Sequence, residues 1–302
     1  MEAQLAARIG APGGAPRRLP LYCPAMRIQL FSDLHLERYP AFQPDIAPDT
    51  DVVVLAGDIG SYQPGSRLAG IDFGLARFSP RRPGAGKARV LFVPGNHEFD
   101  GLEFEETSAR LRALCAELGI EWLDRETIVI DHVRFVGTTL WSDFDALASR
   151  ETDLTRQLQL RGKAFRAANY YLSKNTTLRD GVPMLAEDMR EVSLACQAWL
   201  RAALAQPFDG VTVAVTHFAP SLLSADPRYG LAAGTAGFCN AMDALFPFAD
   251  VWMHGHLHCM NDYTVTGIED GRPWSCRVVA NPLGYLSKGE QEGFRPELVI
   301  EL

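Results

Sequence analysis

No stretch of the 302-residue chain approaches the roughly 18 consecutive apolar residues of a membrane-spanning helix. The first 25 residues mix Gly, Pro and Arg with no continuous apolar centre, so they lack the build of a secretory signal. Cysteine is sparse. Cys23, Cys115, Cys196, Cys239, Cys259 and Cys276 lie far apart with no CxxC pair, which suits reduced thiols in a cytoplasmic protein better than a disulfide framework. Basic residues are outnumbered, 29 Lys and Arg against 37 Asp and Glu, for a net charge of −8. Non-specific binding to nucleic acid or to an anionic membrane needs a net basic face, so both are disfavoured. A small anionic ligand stays compatible, because local charge or metal ions can reverse the field inside a cleft.

What is present is an ordinary globular composition, 47% hydrophobic and 22% charged, on a chain long enough for one large domain or two small ones. Short runs of Val, Ile, Leu and Phe predict strands at 27–35, 51–58, 88–97, 133–141, 211–218 and 250–256. Continuous apolar runs of this length fit strands covered on both faces, as in parallel or mixed sheets. "FEETSARLRALCAELG" (104–119) predicts a helix closed by a C-terminal glycine. The pattern after residue 256 turns to closely spaced strands at 262–267, 273–281 and 297–302, with "EDGR" as a hairpin turn. The expected fold is therefore α/β, two packed sheets flanked by helices. Residues 1–25 read as a poorly ordered extension before a single domain over 26–302.

Residues 142–206 form a helix-prone insert broken near "RDGVP" (179–183). From Arg156 to Lys174 it carries five cations and no acid, with Tyr170 and Tyr171 alongside. Two readings are open: a lid that draws an anionic substrate, or a solvated helix face whose tyrosines pack inward.

Histidine is scarce too, seven in all, yet "VWMHGHLHCM" (251–260) holds three at alternate positions. Each imidazole carries two nitrogens that want partners, so this is a costly way to fill a core. If the strand persists, His254, His256 and His258 point to one side. Other predicted strands also end in polar groups: Asp33 and His35, then Asp58, then Asn96 and His97, then His217. Six of the seven histidines lie at such ends, and only His132 does not. The carboxyl ends of parallel strands form the edge where ligands bind. Carboxylates, imidazoles and an amide oxygen make an O/N donor set for divalent first-row metals. So many candidates exceed one tetrahedral ion and suit two ions about 3.5–4 Å apart that share a carboxylate. The glycine before Asp58 would permit the close backbone approach this needs. Cys259 follows His258 as a soft donor, although a strand would turn it away.

The ordered blocks "DLH" (33–35), "GD" (57–58), "GNHE" (95–98), "TH" (216–217) and "GHLH" (255–258) resemble the signature of the calcineurin-like metallophosphoesterase superfamily. The resemblance spans about residues 27–260. It implies a four-layer αββα sandwich with a dinuclear site at the strand ends. By the same resemblance Asp33, His35 and His258 hold one metal, Asp58 bridges, and Asn96, His217 and His256 hold the other. His97 is implied to act on the phosphoryl group or the leaving group instead of ligating. Glu98, His254 and Asn281 are candidates for supporting positions around these residues.

The implied chemistry is hydrolysis of a phosphate ester by water that two dications acidify, with Mn, Fe, Zn or Ni all acceptable to such ligands. "GDIGSYQPG" departs from the G-D-x-V-D-R-G of the superfamily's protein phosphatases and speaks against that activity. "NPLGY" (281–285) is similar to small bacterial cytoplasmic members, which makes a small phosphomonoester or phosphodiester, including a nucleotide, the expected partner. Pyrophosphate-bond hydrolysis and a non-catalytic scaffold are the alternatives.

Overall fold

Alternate residues of the second strand enter different cores. Val52, Val54 and Ala56 join a buried cluster with Ile28, Leu30, Leu91, Val213, Val215, Met253 and Val279. Val53 and Leu55 face the other way, into a cluster that also takes in Leu111 and Cys115 of the first helix. A strand buried on both faces needs this unbroken apolar run, and each fully buried Val or Leu contributes about 1.5–3 kcal/mol.

The computed structural model describes residues 25–68, 70–174 and 177–302. All but Ala25 of the expected extension lies outside them. In chain order the strands are β1 (Arg27–Phe31), β2 (Val52–Ala56), β3 (Arg89–Val93), β4 (Glu121–Trp122), β5 (Glu126–Ile130) and β6 (Val133–Thr138). They continue with β7 (Leu178–Arg179), β8 (Val182–Pro183), β9 (Val211–Thr216), β10 (Val251–His254), β11 (Asn261–Glu269), β12 (Arg272–Ala280) and β13 (Val299–Glu301). The α-helices are α1 (Phe104–Leu118), α2 (Leu154–Leu172) and α3 (Ala186–Leu204).

One sheet has the order β13-β1-β2-β3-β4 and the other β11-β12-β10-β9-β6-β5. Within them β1 to β4 run parallel, as do β12, β10, β9 and β6, while β13, β11 and β5 are antiparallel edges. The inner faces meet in the first cluster, and α1 and α3 cover the outer faces through Leu111, Cys115, Met189, Cys196 and Leu200. This is the four-layer αββα sandwich. Gly119, at φ 73°, closes α1 as the sequence predicts. The carboxyl ends of both sheets come to one rim, where the His217 ring beyond β9 donates from Nδ1 to the carbonyl of Ala56 at 2.8 Å.

The predicted insert resolves into α2, the β7–β8 hairpin at the expected break, and α3. Part of its positive charge is paired within the insert itself. Arg161 donates to both carboxylate oxygens of Asp145 at 2.6 and 2.8 Å, and Arg190 lies 2.7 Å from the same group. Tyr170 and Tyr171 are 62% and 72% exposed, so they do not pack inward. No helix among the described residues is long and apolar enough to cross a membrane.

Candidate active site

The polar tips sit on loops with an unusual backbone. Asp33, His35, Asp58, His256 and His258 all have positive φ, between 46° and 72°. Extended alternation therefore does not deliver the histidines, because β10 stops at His254 and β1 at Phe31. Left-handed turns aim them instead, at a cost on the order of 1 kcal/mol or more each for a residue with a Cβ. Backbone bonds between loops hold these turns: Asp33 N–H donates to Gly57 O, His35 N–H to Asp58 O, and Gly255 N–H to His217 O, at 2.9 to 3.1 Å.

Two glycines make the approach possible. A Cβ on Gly95 would sit 2.1 Å from Asp58 Oδ1 and 2.5 Å from its backbone nitrogen. On Gly57, itself at φ 88°, it would sit 2.3 Å from His217 Nδ1. Any side chain at either place would push a site residue out.

The tips form two groups whose ligand atoms all lie within 4.8 Å of one another: Asp33, His35, Asp58 and His258, and then Asp58, His217 and His256. Asp58 belongs to both. Asn96 adjoins the second group, with Oδ1 3.2 Å from His217 Nε2. Cys259 belongs to neither group, and its sulfur faces the carbonyl of Met260.

Proton placement tests whether cations fit. The carbonyl of Ala56 can only accept, so His217 Nδ1 carries a hydrogen and a neutral ring turns its Nε2 lone pair inward. There it faces Asn96 Oδ1 and, at 3.3 Å, Asp58 Oδ2. Likewise His35 Nδ1 lies 3.2 Å from Glu37 and His258 Nδ1 2.6 Å from Glu290, leaving two Nε2 atoms facing each other at 2.9 Å. Asp58 Oδ2 and His256 Nε2 are buried without a hydrogen-bond partner. Lone pair against lone pair is repulsive unless a proton or a cation stands between them. The residues thus fit a pair of divalent ions, with carboxylates behind two imidazoles in the manner that orients metal-binding histidines.

Without ions, protons take that place. Burial lowers the pKa of His217 and His258, but the carboxylates of Asp58, Asp33 and Glu290 outweigh it and raise both to about 9. Burial would raise Asp33, yet its bond with His258 brings it down to about 2. His256 is held well below its usual range by burial and by the charge of His217, and so stays neutral.

His97 stands apart from the ligand groups. Its side chain is 23% exposed, Nδ1 bonds Asp100, and Nε2 lies 4.0 Å from Asp58 Oδ2. Burial opposes its charge, but Asp58 and Asp100 hold its pKa up to about 10. Glu98 is wholly buried and touches no imidazole. Its carboxylate accepts the N–H groups of Asp58, Ile59, Gly60 and Gly95 at 2.6 to 3.2 Å, which clamps the Asp58 loop. Burial and the neighbouring Asp58 charge push its pKa up to about 7, with the amide donors limiting the rise. In Glu98→Gln an amide NH2 replaces one acceptor and faces two N–H donors. We expect a loss of about 2–5 kcal/mol, read as a lower melting temperature. An unchanged melting temperature would show that water substitutes for the carboxylate.

His254 points away from both groups, with Nε2 2.9 Å from Ser224 Oγ, and burial drops its pKa to about 4. Asn281 bonds Leu30 O and both backbone groups of Arg295, beneath the rim. The loop that follows reaches the site instead: Gly284 N–H donates to Asp33 O at 3.0 Å, and the Tyr285 ring stacks on His35 at 4.4 Å. Glu37, Asp100 and Glu290 stand behind His35, His97 and His258, and sequence reading missed all three. Asp100 had a signal, three residues beyond His97. Glu290 had none, since 32 residues separate it from its histidine.

The family model for calcineurin-like phosphoesterases matches residues 26–260. The chain belongs to this family. As a calcineurin-like phosphoesterase it is a metal-dependent phosphoester hydrolase. Protein L509 of Acanthamoeba polyphaga mimivirus is 22% identical over 228 residues, 71% of this chain and 74% of that one. Among solved structures, Phosphopantetheinyl Hydrolase (PptH) from Mycobacterium tuberculosis is similar in fold, with a TM-score of 0.63 and 19% identity. That match covers 92% of this chain and 96% of the other. A dimetal phosphatase from Danio rerio aligns with a TM-score of 0.44 and 13% identity, covering 92% of each chain.

Proposed function

We propose that this phosphoesterase hydrolyses a small phosphomonoester or phosphodiester, with His97 as the acid that protonates the leaving oxygen. The observation that carries the reading is the pairing of two ligand groups through Asp58 with a half-buried, cationic His97 beside them. Asp33, His35, Asp58 and His258 would hold one divalent ion, and Asp58, Asn96, His217 and His256 the other. When bound, the two ions supply positive charge to the phosphoryl oxygens and acidify water.

The chain's own groups do the rest. Asp100 accepts from His97 Nδ1, which fixes the ring and leaves the Nε2 proton free for transfer. That proton meets the negative charge that develops on the departing oxygen. Glu37 and Glu290 keep the His35 and His258 rings turned inward. Glu98 holds the backbone at Asp58 and keeps the carboxylate at the centre.

Chelation of the purified protein should abolish turnover of an aryl phosphate ester, and a divalent first-row ion should restore it. Since His217 and His258 are protonated below about pH 9 without ions, loading must displace protons. Ion affinity should therefore rise with pH up to about 9 and weaken as pH falls. Titration calorimetry in buffers of different ionisation enthalpy reads the released protons. Turnover that survives exhaustive chelation would sink the reading. A panel of nucleotides, cyclic nucleotides, nucleoside-diphosphate sugars and phosphopantetheinyl esters then ranks substrates.

A further inference from the structure

The organic part of the ester has no partner in the reading above, and one side chain at the rim is built to meet it. Phe238 is 46% exposed, yet its ring lies 5.1 Å from that of His256 with 33° between the planes. Phe218, buried, packs on the same imidazole at 3.9 Å. The exposed ring is firmly seated. The turn before it, Ala233–Gly237, packs on α2 of the insert, and Ser142 Oγ donates to Ala236 O at 2.5 Å. The Phe238 N–H donates to Thr235 O at 3.0 Å, and the buried Asn240 next along ties to Trp141 O at 2.7 Å.

Earlier in the chain between β9 and β10, Tyr229 and Leu231 are 72% and 51% exposed, and Arg228 is held by Asp226 through bonds of 2.6 to 3.1 Å. The side of the site at His35 and His258 differs, because there the Lys288 ammonium stands 4.9 Å from the Tyr285 ring. A fixed, half-exposed aromatic face beside a ligand histidine offers stacking area with little ordering cost.

We propose that Phe238 is a specificity-determining residue that receives a planar, apolar part of the ester, an aryl group or a nucleobase, beside His256. The inference rests on the phosphoester-hydrolase reading of the same site and names the substrate class that site prefers.

Inhibition of the metal-loaded full chain by phenylphosphonate and methylphosphonate tests it, because both offer the same anion and differ in the ring. The wild type should bind phenylphosphonate about tenfold more tightly than methylphosphonate. Phe238→Ala should bring that ratio to about twofold or less, with methylphosphonate inhibition and metal content unchanged. Phe238→Trp should retain the preference, which a merely structural role for the loop would not predict. An equal ratio in wild type and Phe238→Ala would overturn the proposal. If loaded enzyme is inhibited by neither phosphonate and hydrolyses no phosphate ester, the hydrolase reading fails and takes this one with it.

Discussion

Replacing His97 by alanine should lower kcat about 10²–10⁴-fold for an alkyl phosphate ester and far less for a p-nitrophenyl ester. The difference follows from the leaving group. An alkoxide is too basic to depart without a proton, whereas nitrophenolate leaves unaided. In the proposed role His97 gives that proton, a role supported by Asp58 and Asp100, which keep its ring charged, and by the solvent exposure of its side chain. It belongs to neither ligand group, so bound metal should match the wild type. Kinetics on the two esters, with metal analysis of the same samples, check both halves. Equal losses on both esters, or loss of metal, would remove His97 from the acid role.

Asp58→Asn should be the more damaging change, with kcat/KM falling about 10³-fold or more, the scale on which single electrostatic groups act in catalysis. Asp58 is the one residue common to both groups, and its Oδ2 is buried with nothing else to bond. The amide keeps the size but removes the charge that balances His217, His97 and His35. Metal content should drop below that of the wild type. The fold should persist, because an amide oxygen can still accept from His97 N–H as Asp58 Oδ1 does at 2.8 Å. Two ions retained with wild-type turnover would refute the bridging role.

How far the sequence spoke for the structure differs by residue. Strands such as β2 and β10 announced themselves, because burial on both faces demands unbroken apolar runs. β5 did not: Glu126–Ile130 is an antiparallel edge with alternating exposure, and its apolar content is too thin to stand out. The polar tips could be named because each follows directly on an apolar run. Their geometry could not, since alternation along a strand suggested convergence and left-handed turns supply it. Lone acids such as Glu37 and Glu290 look like any solvated charge until tertiary approach sets them behind an imidazole. In the insert, composition did not reveal that Arg161 and Arg190 share Asp145 within the same segment, or that Tyr170 and Tyr171 stay exposed.

The five left-handed positions at the rim bear on which sequences can occupy it. Away from glycine, that backbone hand is adopted most readily by Asp, Asn and His. Those are also the side chains that offer hard oxygen or imidazole nitrogen to a divalent ion. Torsional preference and coordination chemistry therefore select the same short alphabet at Asp33, His35, Asp58, His256 and His258. A branched or bulky replacement would be penalised twice, once in the main chain and once as a candidate ligand.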